Sequence, residues 1–395
     1  MDRLIYLDNN ATTPLDPQVL EAMMPYLTTH FANASSLTHR AGRIAAAAVV
    51  TARQQVASLI GSSAEEITFT SGATEAINLA LKGVFARYQS KGRHFITCVT
   101  EHKAVLDTLA YLEKHGAEVT YLPVNKQGAI DLQDLENAIR PDTVLMALMH
   151  ANNETGVIHP VEKLAEIARR HQILFFCDAT QSAGKIPWQI ADFPVDMLCL
   201  SGHKLYGPKG IGALYVRRQN RRIQLDALLH GGGQENKLRA GTLNVPGIVG
   251  LGKAAEIAEE TREVEASRLM RLRGKLEQTL ATLPETGING AGEPRLPHVS
   301  NMTFRHVKAA EIMVKAPDIA LASGSACVSG TRDPSHVLLA MGLAEADAHA
   351  SLRFSLGRFN TADDIDTCIR EVRAAVESLR ASSPVWQLYR SGAID

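Results

Sequence analysis

Between residues 65 and 216, seven short apolar runs, "EITFT", "HFITCV", "EVTYLP", "TVLMALM", "ILFFCD", "DMLCLS" and "IGALYV", alternate with amphipathic patterns such as "VEKLAEIARRH". No other feature restricts the folding of this chain so narrowly. Strands without a polar face must be covered on both sides, and the helices between them supply the cover. The alternation predicts an α/β unit with a mostly parallel seven-stranded sheet. Near residue 250 the pattern changes. A long helical stretch, "AAEIAEETREVEASRLMRLRGKLEQTLATL", leads into shorter strands in "HVSNMTF" and "ASLRFSL" and a last helix in "DDIDTCIREVRAAVESLR", which predicts a smaller α+β unit. At roughly 150 residues per domain, 395 residues suffice for both.

The balance of charge removes some classes of partner. With 41 Lys and Arg against 42 Asp and Glu, the formal net charge is -1, without the basic excess that nucleic acids or anionic membranes attract. Apolar stretches end well short of the ~20 residues a membrane span needs. The start, "MDRLIYLDNNATTP", lacks a basic segment followed by an apolar core, so a cytoplasmic location is expected.

In open parallel sheets ligands bind outside the carboxyl ends of the strands. The runs end there in His102, in Asn152 and Asn153, in Asp178 and Gln181, and in Ser201, His203 and Lys204. Singly, each has an ordinary reading: a strand-end Asp caps the next helix, and a lone Lys is a solvated charge. Four strand ends together favour a site. A pocket lysine of lowered pKa forms Schiff bases, and pyridoxal phosphate (PLP) enzymes pair such a lysine with an Asp on the pyridinium nitrogen. Lys204 and Asp178 suit those roles. "EITFTSGATEAINLALKG" adds a strand, then Ser71, Gly72, Ala73 and Thr74, then a helix N-terminus favourable to a phosphate.

Five cysteines, at 98, 177, 199, 327 and 368, are widely spaced and contain no C-x-x-C pair, so neither a disulfide framework nor a zinc site is expected. Cys98, Cys177 and Cys199 lie in apolar strand runs and Cys368 in a helical pattern, where packed thiols belong. Cys327 differs. It sits in "SGSACVSG", among small polar residues and glycines with little to bury it.

With these residues assembled, the sequence resembles the cysteine desulfurases of the NifS/IscS type, which have the class V aminotransferase fold of PLP enzymes. The matching stretches are "YLDNNATTP", "FTSGATEAINLA", "TEHKAVLDT", "HANNETGVI", "DATQSAGKIP", "SGHKLYGPKGIGALYV", "HGGGQENKLRAGT", "SGSACVSG" and "SLRFSLGRF". The resemblance implies an aspartate-aminotransferase-like PLP-dependent transferase fold. It places a large PLP-binding domain at 15–255 and a small α+β domain at 1–14 plus 256–395, which carries the cysteine loop at about 320–335. Lys204 is then the Schiff-base lysine, Asp178 the partner of the ring nitrogen, and Gln181 the partner of the ring hydroxyl. His102 stacks on the ring and shuttles protons, while Ala73, Thr74, Ser201 and His203 hold the phosphate. Thr242 reaches in from the second subunit of a homodimer, and Asn153 and Arg353 engage cofactor and substrate carboxylate.

The implied reaction converts L-cysteine to L-alanine, with the sulfur carried as a persulfide on Cys327 to an acceptor such as an iron–sulfur scaffold. No resident metal is implied; Cys327 is the one group that could face an iron–sulfur cluster shared with a scaffold. Selenocysteine lyase and another class V aminotransferase are the alternative enzyme readings, and a sulfur-donor assembly partner is the alternative outside catalysis.

Overall fold

The computed structural model describes residues 4–190, 192, 194–218, 223–323 and 333–393. All seven apolar runs are strands of one sheet: β2 (Ile67–Thr70), β3 (His94–Cys98), β4 (Glu118–Leu122), β5 (Thr143–Met149), β6 (Leu174–Asp178), β7 (Met197–Ser201) and β8 (Gly212–Val216). Their order is β2-β8-β7-β6-β5-β3-β4. β3 through β7 run parallel, whereas β8 is antiparallel to both of its neighbours. Every residue of β5, β6 and β7 is buried, as strands covered on both faces must be.

The cover comes from α1 (Pro17–Thr28), α2 (Arg40–Ile60), α3 (Ala73–Tyr88), α4 (Lys103–Glu113), α5 (Leu132–Ala138), α6 (Val161–Arg170) and the first half of α7 (Val245–Leu280). α6 shows the rule by which they dock. Val161, Leu164, Ala165, Ile167 and Ala168 form a buried stripe, while Glu162, Lys163, Glu166, Arg169 and Arg170 face water. α2 stops at Gly61, which takes the left-handed conformation at φ 67° and returns its N–H to the carbonyl of Ala57.

A second apolar core lies apart from the sheet. It joins Leu269, Leu276 and Leu280 of α7 to Met302 and Phe304 of β10 (Val299–Phe304), Leu352 and Phe354 of β12 (Ser351–Ser355), and Cys368, Val372 and Val376 of the helix Ala362–Ala381. β12, β10 and β9 (Thr286–Ile288) form an antiparallel three-stranded sheet. The N-terminal β1 (Ile5–Tyr6) pairs in parallel with β11 (Ile319–Ala320) beside it. α7, 36 residues long, contributes buried side chains to both cores without a break. It begins nine residues before the helical stretch legible in the sequence, capped by Asn244, whose side chain accepts the Gly247 N–H.

Candidate functional site

The carboxyl ends of β3, β5, β6 and β7 converge with the turn between β2 and α3 on a cavity of about 520 Å³. That is ample for a cofactor-sized ligand. β6 ends on Asp178, almost fully buried, whose Oδ1 accepts the Thr180 N–H at 2.9 Å and the Cys199 thiol at 3.3 Å. β7 ends on Ser201, and the 3-10 turn Gly202–Lys204 carries Lys204 into the cavity wall. There its Nζ donates to the carbonyl of Asn10 and, at 2.8 Å, to that of Ala11. The turn is held from behind by Tyr206, a non-glycine residue at φ 62°. Its N–H donates to Thr13 Oγ1 at 2.9 Å, and its carbonyl accepts the Asp16 N–H at 3.0 Å.

Two imidazoles line the same cavity. His203 Nδ1 lies 3.1 Å from Thr12 Oγ1; burial, reinforced by the charges of Lys204 and Lys209, pushes its pKa down to about 4, so the ring is neutral at pH 7. His102 caps α4, and its Nδ1 accepts the Ala104 N–H at 3.1 Å. With Nδ1 an acceptor, the proton of the neutral ring sits on Nε2. Beside it Glu101 is fully buried, its Oε1 accepting the Met149 N–H at 2.7 Å. Burial first, and the charge of Asp178 as well, push its carboxyl well above the ordinary range.

One end of the cavity is built by Arg353 and Asn153. Arg353, in β12, is 2% exposed. It donates to Asp8 Oδ1 at 2.7 Å and to the carbonyl of Asn153 at 3.1 Å, while its buried Nε has no partner among the described residues. Gln181 Nε2 donates at 3.1 Å to the same Asn10 carbonyl that receives Lys204. At the opposite end α3 begins with Ala73 and Thr74 after Gly72, which stands at φ 155°, ψ -179°, a region essentially reserved for glycine. Ala73 and Thr74, which open this helix, line the cavity with Gly72, and a helix start carries N–H groups without an intrahelical partner.

The structure thus brings Ala73, Thr74, His102, Asn153, Asp178, Gln181, Ser201, His203, Lys204 and Arg353 to one cavity. Thr242 is exposed in the segment before α7 and does not line it. Cys327 lies outside the described residues. The other four cysteines are free and buried.

Asn10 was not anticipated. Besides its carbonyl, its side chain donates to the Asn153 carbonyl at 2.9 Å and faces His298 Nε2 at 3.0 Å. The stretch "YLDNNATTP" marked the segment, but a role played by a main-chain carbonyl leaves no trace in residue type. Asp8 and Glu101 were missed for a related reason: each acts through a neighbour, Arg353 or Met149.

An amine held at a strand end, a buried carboxylate opposite it, and a helix start opened by glycine suit an aldehyde-bearing aromatic cofactor with a phosphate tail. The donor set fits PLP. The aminotransferase class-V profile matches residues 5–368. The cysteine desulfurase IscS of Anaeromyxobacter dehalogenans (strain 2CP-C) is 51% identical over 392 residues, covering 98% of this chain and 96% of the relative. That of Histophilus somni (strain 129Pt) is 50% identical over 390 residues, with the same coverage. Among solved structures, a NifS-like protein superposes with a TM-score of 0.87 at 37% identity, over 95% of this chain and 99% of that one. The structure described as SspA in complex with cysteine gives a TM-score of 0.80 at 38% identity, over 90% and 100% of the two chains. The chain belongs to the class V aminotransferase family, whose cofactor is pyridoxal 5'-phosphate.

Proposed function

We infer that this protein is a cysteine desulfurase, releasing L-alanine from L-cysteine and passing the sulfur on as a persulfide. The observation that carries the reading is the meeting of Lys204, Asp178, His102 and Arg353 on one cavity, in a chain half identical to named cysteine desulfurases. When bound, PLP supplies an electron sink beside the Cα of the amino acid. Lys204 Nζ is the amine that holds the cofactor and the base that moves the Cα proton. Asp178, fixed by the Thr180 N–H and the Cys199 thiol, would present a carboxylate to the ring nitrogen. Gln181 would reach the ring hydroxyl, His102 would cover the ring, and Ala73, Thr74, Ser201 and His203 would hold the phosphate.

Arg353 receives the substrate carboxylate, for which its planar fork is suited, and Asp8 holds that fork in place from behind. Asn153 fixes the same guanidinium through its carbonyl. Cys327 takes the substrate sulfur: its thiolate bonds to that sulfur as the carbon–sulfur bond breaks and its electrons pass to the substrate, and alanine leaves after Cβ gains a proton and Cα regains one.

The same reading extends to a homodimer in which Thr242 completes the phosphate site of the partner. The exposure of Thr242 outside its own cavity supports this. A cytoplasmic location is supported by four free thiols among the described residues, which a reducing compartment preserves. An iron–sulfur scaffold is the acceptor that the family resemblance implies. The two apolar cores support the division into 15–255 and 1–14 plus 256–395, with the boundary inside α7.

The test is alanine and sulfide release from L-cysteine by the protein reconstituted with PLP. Lys204→Ala is expected to abolish both products and the yellow absorbance. Cys327→Ser keeps the absorbance and loses sulfur transfer. Turnover of selenocysteine alone, or undiminished turnover by Cys327→Ser, would replace this reading with a selenocysteine lyase or an aminotransferase.

A further inference from the structure

Glu75 stands in the first turn of α3 and lines the cavity at the end assigned to the phosphate. Its Oε2 accepts the Ser71 N–H at 2.7 Å, which folds the Ser71–Gly72 turn onto the helix. A carboxylate here suits the positive end of a helix by itself. It competes, however, with a phosphate dianion for the same positive end, and like charges side by side oppose binding. His203, a nearby candidate for compensation, is neutral at pH 7.

The compensating charge comes from outside the cavity. Arg239 Nε donates to Glu75 Oε1 at 2.8 Å, and its NH2 donates to Oε2 at 3.3 Å. Both side chains are largely shielded, at 22% and 12% exposure, so water screens the pair little. Burial alone would raise the Glu75 pKa, but the hydrogen bonds from Arg239 and Ser71 and the Arg239 charge outweigh it and hold the carboxyl below its ordinary range.

The segment carrying Arg239 is held in place at a conformational cost. Glu235, Asn236 and Lys237 are three successive non-glycine residues in the left-handed region, at φ 45°, 55° and 67°. Glu235 anchors them: its carboxylate receives two bonds from Arg53, at 2.8 and 2.6 Å, and one from the Phe69 N–H at 2.8 Å, in β2 itself. A loop that only had to cross the surface would not need a buried acid and three strained residues.

We propose that Arg239 is a positioning residue for the cofactor phosphate, acting through Glu75: it neutralises the carboxylate that shapes the Ser71–Gly72 turn, so that the start of α3 can accept a dianion. The proposal rests on the reading of the cavity as a PLP site. Arg239 need not touch the cofactor. It lies three residues before Thr242, so the same ion pair ties the phosphate turn of one subunit to the segment assigned to its partner's site.

The experiment titrates the full-length protein, freed of cofactor, with PLP and with pyridoxal, which lacks the phosphate, following the absorbance of the bound aldehyde. Arg239→Gln is expected to weaken PLP on the order of tenfold and to leave pyridoxal unchanged. Glu75→Gln keeps an acceptor for the Ser71 N–H and binds PLP at least as tightly as the unaltered protein. The double variant Glu75→Gln/Arg239→Gln returns to within about threefold, since the charge to be neutralised is gone. Equal weakening of PLP and pyridoxal by Arg239→Gln, or a double variant as weak as Arg239→Gln, would overturn the proposal, because a purely structural role predicts those results. Should Arg239→Gln fail to fold, Glu75→Gln and Arg239→Lys decide: both must hold PLP, and loss by either refutes it. Failure of the unaltered protein to bind PLP would sink the cofactor reading instead.

Discussion

Four of the five thiols are fully buried, and burial also suppresses their ionisation. It pushes Cys98 and Cys368 up to about 12 and Cys177 and Cys199 well above their ordinary range. Since the thiolate is the nucleophile, all four should be inert in the native protein. A brief limiting dose of iodoacetamide is therefore expected to label Cys327 first, with loss of desulfuration and retention of the PLP absorbance. Peptide mapping reads the result, and earlier labelling of Cys98, Cys177 or Cys199 would remove Cys327 from its assigned role. At this scale the sequence marked, by side-chain type, Lys204, Asp178 and Arg353, which share one cavity. It was silent where a residue acts through its main chain, as Asn10 does on Lys204 and Gln181.

The elements most legible in the sequence are those whose burial leaves no polar face. β5, β6 and β7 read directly as apolar runs, but nothing in "IGALYV" announces that β8 runs opposite to its neighbours, because direction is set by the connection and not by composition. β1 and β11, two residues each, are too short to show a period at all. The turn between β2 and α3 was legible as a strand, then Ser71, Gly72, Ala73 and Thr74, then a helix start, and the structure supplies the reason for its glycine. A Cβ on Gly72 would meet nothing nearer than Ser201 Oγ at 3.8 Å, so crowding does not require glycine there; the backbone conformation does. Gly72→Ala is accordingly expected to cost about 1–3 kcal/mol of stability and to weaken PLP binding, without a packing defect elsewhere. Gly212, on the adjacent β8, is glycine for the opposite reason: its Cβ would stand 2.7 Å from the Gly72 Cα. Denaturant titration of the two alanine variants, with PLP binding measured alongside, checks both.

For the molecule as a whole, buried imidazoles set the response to acid. Burial pushes His150 down to about 3 and His159 to about 4, and His203 also titrates at about 4. In the unfolded chain these rings titrate near 6.5. Between those values the unfolded chain binds more protons than the folded one, so stability is complete above about pH 6.5 and declines as pH falls toward 4. Glu101 works in the opposite sense, because its raised pKa favours the folded form at low pH and this contribution is lost as pH rises. The melting temperature is expected to fall on the order of 5 °C from pH 7 to pH 5, and Glu101→Gln should steepen the decline. A melting temperature that rises on acidification would contradict the assignment of these rings as neutral.

α7 has a consequence for how heat dismantles the protein. Proteins with two cores commonly melt in two steps, one for each. Here the helix carries Val245, Ile248 and Leu251 into one core and Leu269, Leu276 and Leu280 into the other, and Arg268 near its middle donates to the carbonyls of Gly357, Arg358 and Asn360. Neither core can lose its half of this helix without exposing a free end inside the other's support. The two therefore share one cooperative unit, and calorimetry should record a single endotherm; two resolved peaks would show that the helix can break where the cores meet.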